Sequence, residues 1–223
     1  MSLEPAIVQS LIKQIEEKDL VTAAHTWRVV LYTRVLTEHF GADHERVDRA
    51  TVAAALHDVG KLDIPEQILQ KPGKLTPEEY EIVKAHTTLG HQRLLALGVE
   101  DGLALELVRH HHERYDGLGY PDRLAGDNIS PAARYFSVVD SFDAMTSVRP
   151  YRHEVGHDAA RAAVRELREC VGTRYCAARV KAFAGLYERG EPDWILENFN
   201  DRCELPAFDG TVGAGEAAKR FRK

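Results

Sequence analysis

The chain has 223 residues, of which 44% are hydrophobic, enough for one sizeable core or one large domain with short appendages. Its 29 basic and 35 acidic residues give a net charge of −6, which excludes a protein held to DNA or RNA by overall electrostatic attraction. The three cysteines form neither CxxC pairs nor an even set. They exclude a zinc ribbon and a disulfide scaffold, and they favour a reducing, cytoplasmic location.

Residues 1–18 predict an amphipathic helix, because apolar residues recur there at steps of three and four. The segment has no continuous apolar stretch long enough for an export signal or a membrane span. The sequence therefore predicts no contact with a membrane. We expect this helix to dock on its own domain; pairing with a second copy of the chain or with a signalling partner protein is the alternative.

Residues 19–189 predict a single all-α domain of about seven or eight helices, since helical periodicity continues almost throughout and no segment shows the period-two alternation of a strand. Residues 61–74 and 115–130 interrupt that periodicity with Gly and Pro and predict loops. Residues 190–223 predict a partly docked or flexible tail, with Trp194 and Phe199 as its docking residues.

Two helix starts are marked by capping sequences. Thr76 precedes a proline and lies three residues before Glu79, which predicts a helix running to about Leu97. Ser130 also precedes a proline and predicts a helix running to about Thr146.

The central chemical feature is the adjacent pair His57 and Asp58, followed by Gly60 and Lys61, at the end of an apolar helix. Alone, this pair is equally compatible with a helix end satisfied by hydrogen bonds. Imidazole and carboxylate groups recur, however, on core-facing positions of several other helices, where they are costly unless paired or bound to metal. These groups are His25, His86, His111, His112 and Asp140. Several helices that each present such a group inward are typical of a dinuclear metal site.

The motifs around these residues resemble the HD-GYP branch of the HD metal-dependent phosphohydrolases, over about residues 19–186. The residues that carry the resemblance are HDVGK from His57, KPGKLTPEE, HHERYDGLGYP from His111, DSFDAMT from Asp140 and RPYR from Arg149. The resemblance implies an HD-domain helical bundle with a Gly/Pro-rich GYP loop. It also implies a bacterial signalling enzyme that hydrolyses cyclic di-GMP to linear pGpG, in some members to GMP, or acts on mixed cyclic dinucleotides.

The resemblance also implies two sets of metal ligands. It assigns His25, His57, Asp58 and Asp140 to one ion, and it assigns His86, His111, His112 and the bridging Asp58 to the other. Imidazole nitrogen combined with carboxylate oxygen suits iron, manganese or zinc and is poorly suited to magnesium or calcium. We therefore expect two divalent transition-metal ions, iron or manganese, and a bridging hydroxide as the nucleophile.

Further roles follow from the same resemblance. Asp58 and Lys61 are the expected catalytic residues, with Lys61 against the scissile phosphate. Tyr120, Arg149 and Arg152 are expected to bind the phosphates and bases of the dinucleotide. Two more carboxylates, Glu113 and Asp143, are expected to support metal ligands through hydrogen bonds.

One departure from the family pattern limits the number of metals. Members with a third metal carry a carboxylate one helical turn before the first histidine, where this chain has Val21. Asp19 lies six residues before His25 and cannot easily replace it, so we expect a binuclear site. For the remaining histidines we expect solvated or hydrogen-bonded roles: His39, His44, His91, His110, His153 and His157.

Two alternatives to a cyclic di-GMP phosphodiesterase remain open. One is a phosphohydrolase acting on another cyclic dinucleotide or on a nucleotide. The other is a non-catalytic module that signals by binding a cyclic dinucleotide. The complete set of binuclear ligands together with Lys61 argues against the non-catalytic module, because a degenerate member would be expected to lack ligands.

Overall fold

The computed structural model describes residues 4–19, 23–147, 157–201, 203 and 211–222. The α-helices, in chain order, are α1 (Pro5–Asp19), α2 (Ala23–His39), α3 (His44–Ala55), α4 (Glu66–Leu69), α5 (Pro77–Lys84), α6 (His86–Ala96), α7 (Gly102–His110), α8 (Pro131–Thr146), α9 (His157–Glu169), α10 (Ala177–Glu188), α11 (Asp193–Asn198) and α12 (Thr211–Phe221). Two 3₁₀ helices, Val59–Asp63 and Gly126–Asn128, follow α3 and precede α8. The described residues contain no β-strand, so the predicted all-α class is confirmed.

Helices α2 and α8 form the centre of the bundle. Helix α2 packs against α3 and α8, and α8 also contacts α7, α9 and α10. The rings of Tyr32, Phe142 and Phe183 meet between them with centroids 4.8 to 6.0 Å apart, and all three side chains are fully buried. Each such ring contributes roughly 1.5–3 kcal/mol of burial free energy. This cluster holds in place the two helices that carry His25 and Asp143.

The segment predicted as one helix from Thr76 to about Leu97 is two helices. The capping box at Thr76 is present, but α5 ends at Lys84 and α6 begins after Ala85. The Ala85 N–H donates to Ile82 O, an i−3 contact that tightens the last turn and breaks the helix. The single-helix prediction was therefore wrong, and the break sets the direction of the helix that carries His86.

The described helices outnumber the seven or eight predicted. Part of the difference comes from short elements, since α4 lies within the predicted loop 61–74. The start of α8 follows the prediction, because Ser130 Oγ accepts the Ala133 N–H and the next residue is a proline. Helix α8 ends at Thr146, as predicted.

Both ends of the described chain pack on the bundle. In α1, Leu11, Ile12 and Ile15 are buried, and the helix lies against α4 and the 3₁₀ helix Val59–Asp63. At the other end, Trp194 and Phe199 are buried, and α11 and α12 pack on α2. Among the described residues, no helix is both long and apolar enough to cross a membrane.

Candidate metal centre

His57 and Asp58 follow Leu56, the C-cap residue of α3, and lead into the 3₁₀ helix Val59–Asp63. Both side chains are buried, and His57 Nε2 lies 3.1 Å from Asp58 Oδ2. Lys61 Nζ, one 3₁₀ turn later, lies 2.8 Å from the same oxygen. The turn at the end of α3 thus directs an imidazole, a carboxylate and an ammonium group towards one point.

The same local hydrogen bond, from the ring to a backbone carbonyl three residues earlier, orients three histidine rings. The Nδ1–H of His57 donates to Ala54 O at 2.7 Å. The rings of His86 and His111 likewise donate to the carbonyl oxygen three residues earlier, at 2.7 and 2.9 Å. A carbonyl oxygen can only accept, so Nδ1 must carry the proton in each ring. The Nε2 atom of each ring is therefore the nitrogen that can bind a metal, and it does so when the ring is in its neutral form.

Six of the seven predicted ligands gather into two groups, each with its ligand atoms within 4.8 Å of one another. The first group is His25, His57 and Asp58, and the second is His86, His111 and His112. Asp58 lies between the groups, because its Oδ1 is 3.4 Å from His86 Nε2 and its Oδ2 faces His57. The donor set fits a pair of transition-metal ions that share one carboxylate.

In the first group, nearby opposite charges favour the charged forms of His57 and Asp58 in spite of their burial. Burial alone would lower the pKa of His57, but the carboxylates of Asp58 and Asp140 outweigh it and raise that pKa to about 9. Burial opposes the charge of Asp58 too, yet His57 and Lys61 hold the pKa of that carboxyl well below its usual range. This side of the site therefore carries an ionised carboxylate at neutral pH.

The second group consists of neutral imidazoles. Burial, together with the two neighbouring histidines, holds the pKa of His111 well below its usual value. Burial and the proximity of His86 lower the pKa of His112 to about 3. Burial also lowers the pKa of His86. At neutral pH these three rings are unprotonated, the state in which imidazole binds a metal.

The structure places the other predicted ligands and binding residues as follows. Asp140 lies half-buried on α8 and interacts electrostatically with His57, but it belongs to neither group of three. Arg149 and Arg152 lie outside the described residues, as does Val21, on which the expected number of metals depends. Their roles stay predictions.

A cleft of about 680 Å³ opens beside the second group, lined by both His112 and Tyr120. The Tyr120 ring stacks on the His112 imidazole with centroids 4.9 Å apart and planes inclined by 29°. Lys84 Nζ lies 5.5 Å from the centre of the Tyr120 ring and adds positive charge to the wall. A larger cleft of about 780 Å³ runs along α10 but is lined by none of the clustered histidines. The cleft beside Tyr120 is therefore the candidate substrate site.

Glu113 supports the loop that carries Tyr120. The Glu113 side chain is buried, and its two oxygens accept the backbone N–H groups of Asp122 and Leu124 at 2.7 and 3.1 Å. The neighbouring ring of His110 also contacts this loop, with Nε2 2.8 Å from Asp122 Oδ2. The expected support of a metal ligand by Glu113 is not among these contacts and stays a prediction.

Replacing Glu113 with glutamine should loosen this loop. One of the two backbone N–H groups would then face an NH₂ group instead of an acceptor, at a cost of about 1–3 kcal/mol. Thermal or urea unfolding should show this loss, whereas Mn²⁺ binding should persist. Glu169→Gln, on the exposed face of α9, is the matched control. An unchanged free energy of unfolding in the Glu113 variant would contradict this role of the carboxylate.

Asp143 contacts the ring of His25, a predicted ligand, and its role in supporting a metal ligand stays a prediction. Its Oδ2 lies 2.7 Å from His25 Nδ1, which leaves Nε2 as the ring nitrogen available to a metal. Arg28 contacts the same carboxylate and was not recognised from the sequence as a site residue. The available indication was its charge at a position within the apolar stripe of α2.

Comparisons of sequence and fold relate this chain to known proteins. Residues 9–177 match the family model for the HD domain. A cyclic di-GMP phosphodiesterase from Thermotoga maritima is 42% identical, over 93% of this chain and 56% of its own length. A 3'3'-cGAMP-specific phosphodiesterase from Vibrio cholerae is 37% identical, over 66% of this chain and 28% of its own length.

The fold is shared with a crystal structure of a cyclic GMP-AMP specific phosphodiesterase from Vibrio cholerae. The two superpose with a TM-score of 0.63 at 12% identity, covering 97% of this chain and 54% of the other. The chain thus spans about half, or less, of the length of these relatives. Because the family match covers most of the chain, as the sequence motifs predicted, this protein belongs to the HD domain family.

Proposed function

We propose that this chain is an HD-GYP-type phosphodiesterase that hydrolyses cyclic di-GMP to linear pGpG, with GMP as the alternative final product, at a binuclear metal site. The observation that carries the proposal is the position of Asp58 between two groups of inward-facing donors. Its two oxygens face different groups, which suits a carboxylate that bridges two ions. The relatives named as cyclic dinucleotide phosphodiesterases support the substrate class.

One set of residues would bind the two metal ions, and Lys61 would interact with the phosphate. The first ion would be held by His25, His57, Asp58 and Asp140, and the second by His86, His111, His112 and Asp58. When bound, such a pair acidifies water and stabilises negative charge on a phosphodiester. The Lys61 ammonium lies 2.8 Å from Asp58 Oδ2. It would offset the negative charge that grows on the phosphate oxygens in the transition state.

The proposed reaction consumes one water for each bond that is cut. The water oxygen forms a bond to phosphorus while the bond from phosphorus to the ribose 3'-oxygen breaks. One proton of the water ends on that 3'-oxygen, which opens the ring to pGpG. A second hydrolysis of the same kind would release GMP. No protein side chain becomes covalently attached, so the sequence needs no serine or cysteine nucleophile.

The cleft beside Tyr120 would hold the dinucleotide. The Tyr120 ring would support a base by stacking, and Lys84 on the same wall would attract phosphate. Arg149 and Arg152 are proposed to bind further phosphate or base groups with their planar guanidinium forks. The relative named for 3'3'-cGAMP makes a mixed cyclic dinucleotide the second candidate substrate.

A direct test supplies the metal and identifies the product. Apoprotein is loaded with Mn²⁺, or with Fe²⁺ under anaerobic conditions, and incubated separately with cyclic di-GMP and 3'3'-cGAMP. Chromatography should show faster loss of cyclic di-GMP and the appearance of pGpG. If the protein binds two ions yet cleaves neither dinucleotide, the phosphodiesterase proposal is wrong and a binding module is favoured.

The Lys61→Met variant tests the role of the lysine. Loss of a charge-stabilising group should lower kcat by roughly 10²- to 10³-fold. The number of bound Mn²⁺ ions should stay at two, because Lys61 is not a predicted ligand. Lys13→Met, at an exposed position of α1, is the matched control and should retain full activity. An equal kcat in the two variants would contradict the assigned role.

A further inference from the structure

Arg28 is a buried arginine that joins the candidate metal centre to the C-terminal segment. It lies on α2 one turn after His25, and its side chain is only 3% exposed. Its guanidinium contacts Asp143 through Nε and also through Nη2, at 3.3 Å. On its other side, Nη1 donates to Asp201 Oδ1 at 2.8 Å and to Phe199 O at 3.1 Å. One side chain therefore connects α8 with residues just after α11.

The carboxylate of Asp143 contacts the ring of His25 as well as the guanidinium of Arg28. Asp143 is fully buried, and its Oδ2 lies 2.7 Å from His25 Nδ1. Ser147 contacts both groups, because its hydroxyl accepts from Arg28 Nη2 at 2.8 Å and lies 2.7 Å from Asp143 O and 3.1 Å from Asp143 Oδ2. The carboxylate of Asp143 therefore links the guanidinium of Arg28 to the ring of His25.

Arg28, Asp143 and Asp201 must all be present for the buried charges of Arg28 and Asp143 to be stabilised. Burial would raise the pKa of Asp143, but Arg28 and His25 outweigh it and hold that pKa well below its usual range. Burial would also disfavour the charge of Arg28, and the carboxylates of Asp143 and Asp201 together offset this cost. Without Asp201, a buried guanidinium would lose one of its two anionic partners and its Nη1 would lose an acceptor.

We infer that Arg28 is a positioning residue for the metal ligand His25, and that Asp201 makes metal affinity at the His25 group depend on docking of the C-terminal segment. The inference rests on the proposed metal site but not on any particular substrate. Asp201 lies beyond residue 177, where the HD domain match ends. The segment that follows that match would therefore help to build the site from a distance.

Metal titration tests the inference without an activity assay. Free Mn²⁺ is followed by electron paramagnetic resonance while it is added to apoprotein, and the parent should show two binding steps. The His25→Ala variant identifies which step belongs to the His25 group. Asp201→Asn should weaken that step alone by roughly 3- to 10-fold, less than the ~10- to 100-fold loss expected when a direct hydrogen-bond partner of a ligand is removed.

Two further variants separate positioning from general destabilisation. Arg28→Lys keeps the charge but lacks the planar fork that reaches Asp143 and Asp201 together, so it should weaken the same step by more than Asp201→Asn does. Glu191→Gln is the matched control, since Glu191 pairs with Arg189 and Arg222 of the C-terminal region and not with Arg28. This control should leave both binding steps unchanged.

The outcomes are distinct. Selective weakening of the His25 step in Asp201→Asn, with a melting temperature close to that of the parent, supports the inference. Unchanged titrations in Asp201→Asn and Arg28→Lys, or equal weakening of both steps, overturn it. A parent that binds two Mn²⁺ ions but cleaves no cyclic dinucleotide would overturn the proposed function, and the titrations would still decide this inference.

Discussion

Replacing Asp58 with alanine should abolish hydrolysis and remove at least one of the two bound metal ions. The Asp58 carboxylate faces His57 at 3.1 Å through one oxygen and His86 at 3.4 Å through the other, so its loss affects both groups. It also removes the carboxylate oxygen that lies 2.8 Å from the Lys61 ammonium. We expect kcat for cyclic dinucleotide hydrolysis to fall by at least roughly 10²- to 10³-fold, the loss that follows removal of one charge-stabilising group.

The measurements are metal analysis after gel filtration and product formation with the Mn²⁺-loaded protein. Asp158→Ala, at an exposed carboxylate in the first turn of α9, makes the same substitution away from the site and should retain both ions and full activity. Full activity in the Asp58→Ala protein would contradict the mechanism. If the folded Asp58→Ala variant is inactive but keeps two ions, only the proposal that Asp58 bridges the ions is contradicted.

Much of this site could be expected from the sequence because its parts are local. The orientation of His57, His86 and His111 depends on a carbonyl oxygen three residues earlier in each case. The capping residues Thr76 and Ser130 likewise act within one helical turn. Periodicity and motif spacing report such short-range features directly, and the structure brings six of the seven predicted ligands, all but Asp140, together in two groups.

What the sequence could not indicate depends on contacts between distant segments. Arg28 and Asp201 are 173 residues apart, and no pattern along the chain predicts that they meet. The break at Ala85 was missed for a different, local reason, since periodicity continues across it and only the turn geometry separates α5 from α6. Glu113 was recognised as part of a motif, but its backbone partners in the loop follow from tertiary packing.

Gly60 belongs to the HDVGK motif, and the structure shows why glycine is needed at this position, which the spacing of the motif does not reveal. A Cβ atom at Gly60 would lie 2.7 Å from the carbonyl carbon of His86 and closer still to the carbonyl oxygen. Gly90 faces it across the same contact, where a Cβ would lie 3.1 Å from Gly60 N. Two glycines thus let the backbone of the 3₁₀ helix Val59–Asp63 approach that of α6, which sets the separation of Asp58 and His86.

Replacing Gly60 with alanine should therefore push these two backbones apart. Main-chain atoms cannot move aside as a flexible side chain would, so we expect a loss of about 1–3 kcal/mol or more in the free energy of unfolding. Widening the gap between Asp58 and His86 should also weaken Mn²⁺ binding in the folded protein. Chemical denaturation and Mn²⁺ titration measure the two effects.

Gly102→Ala is the matched control, because the space around a Cβ at Gly102, the first residue of α7, is open to at least 4 Å. That variant should be unchanged or more stable by about 0.4–1 kcal/mol, since alanine restricts the unfolded chain. If Gly60→Ala matched this control in both stability and Mn²⁺ affinity, close backbone approach would not set the site. If only its Mn²⁺ binding were weakened, the contact would serve the metal centre and not the fold.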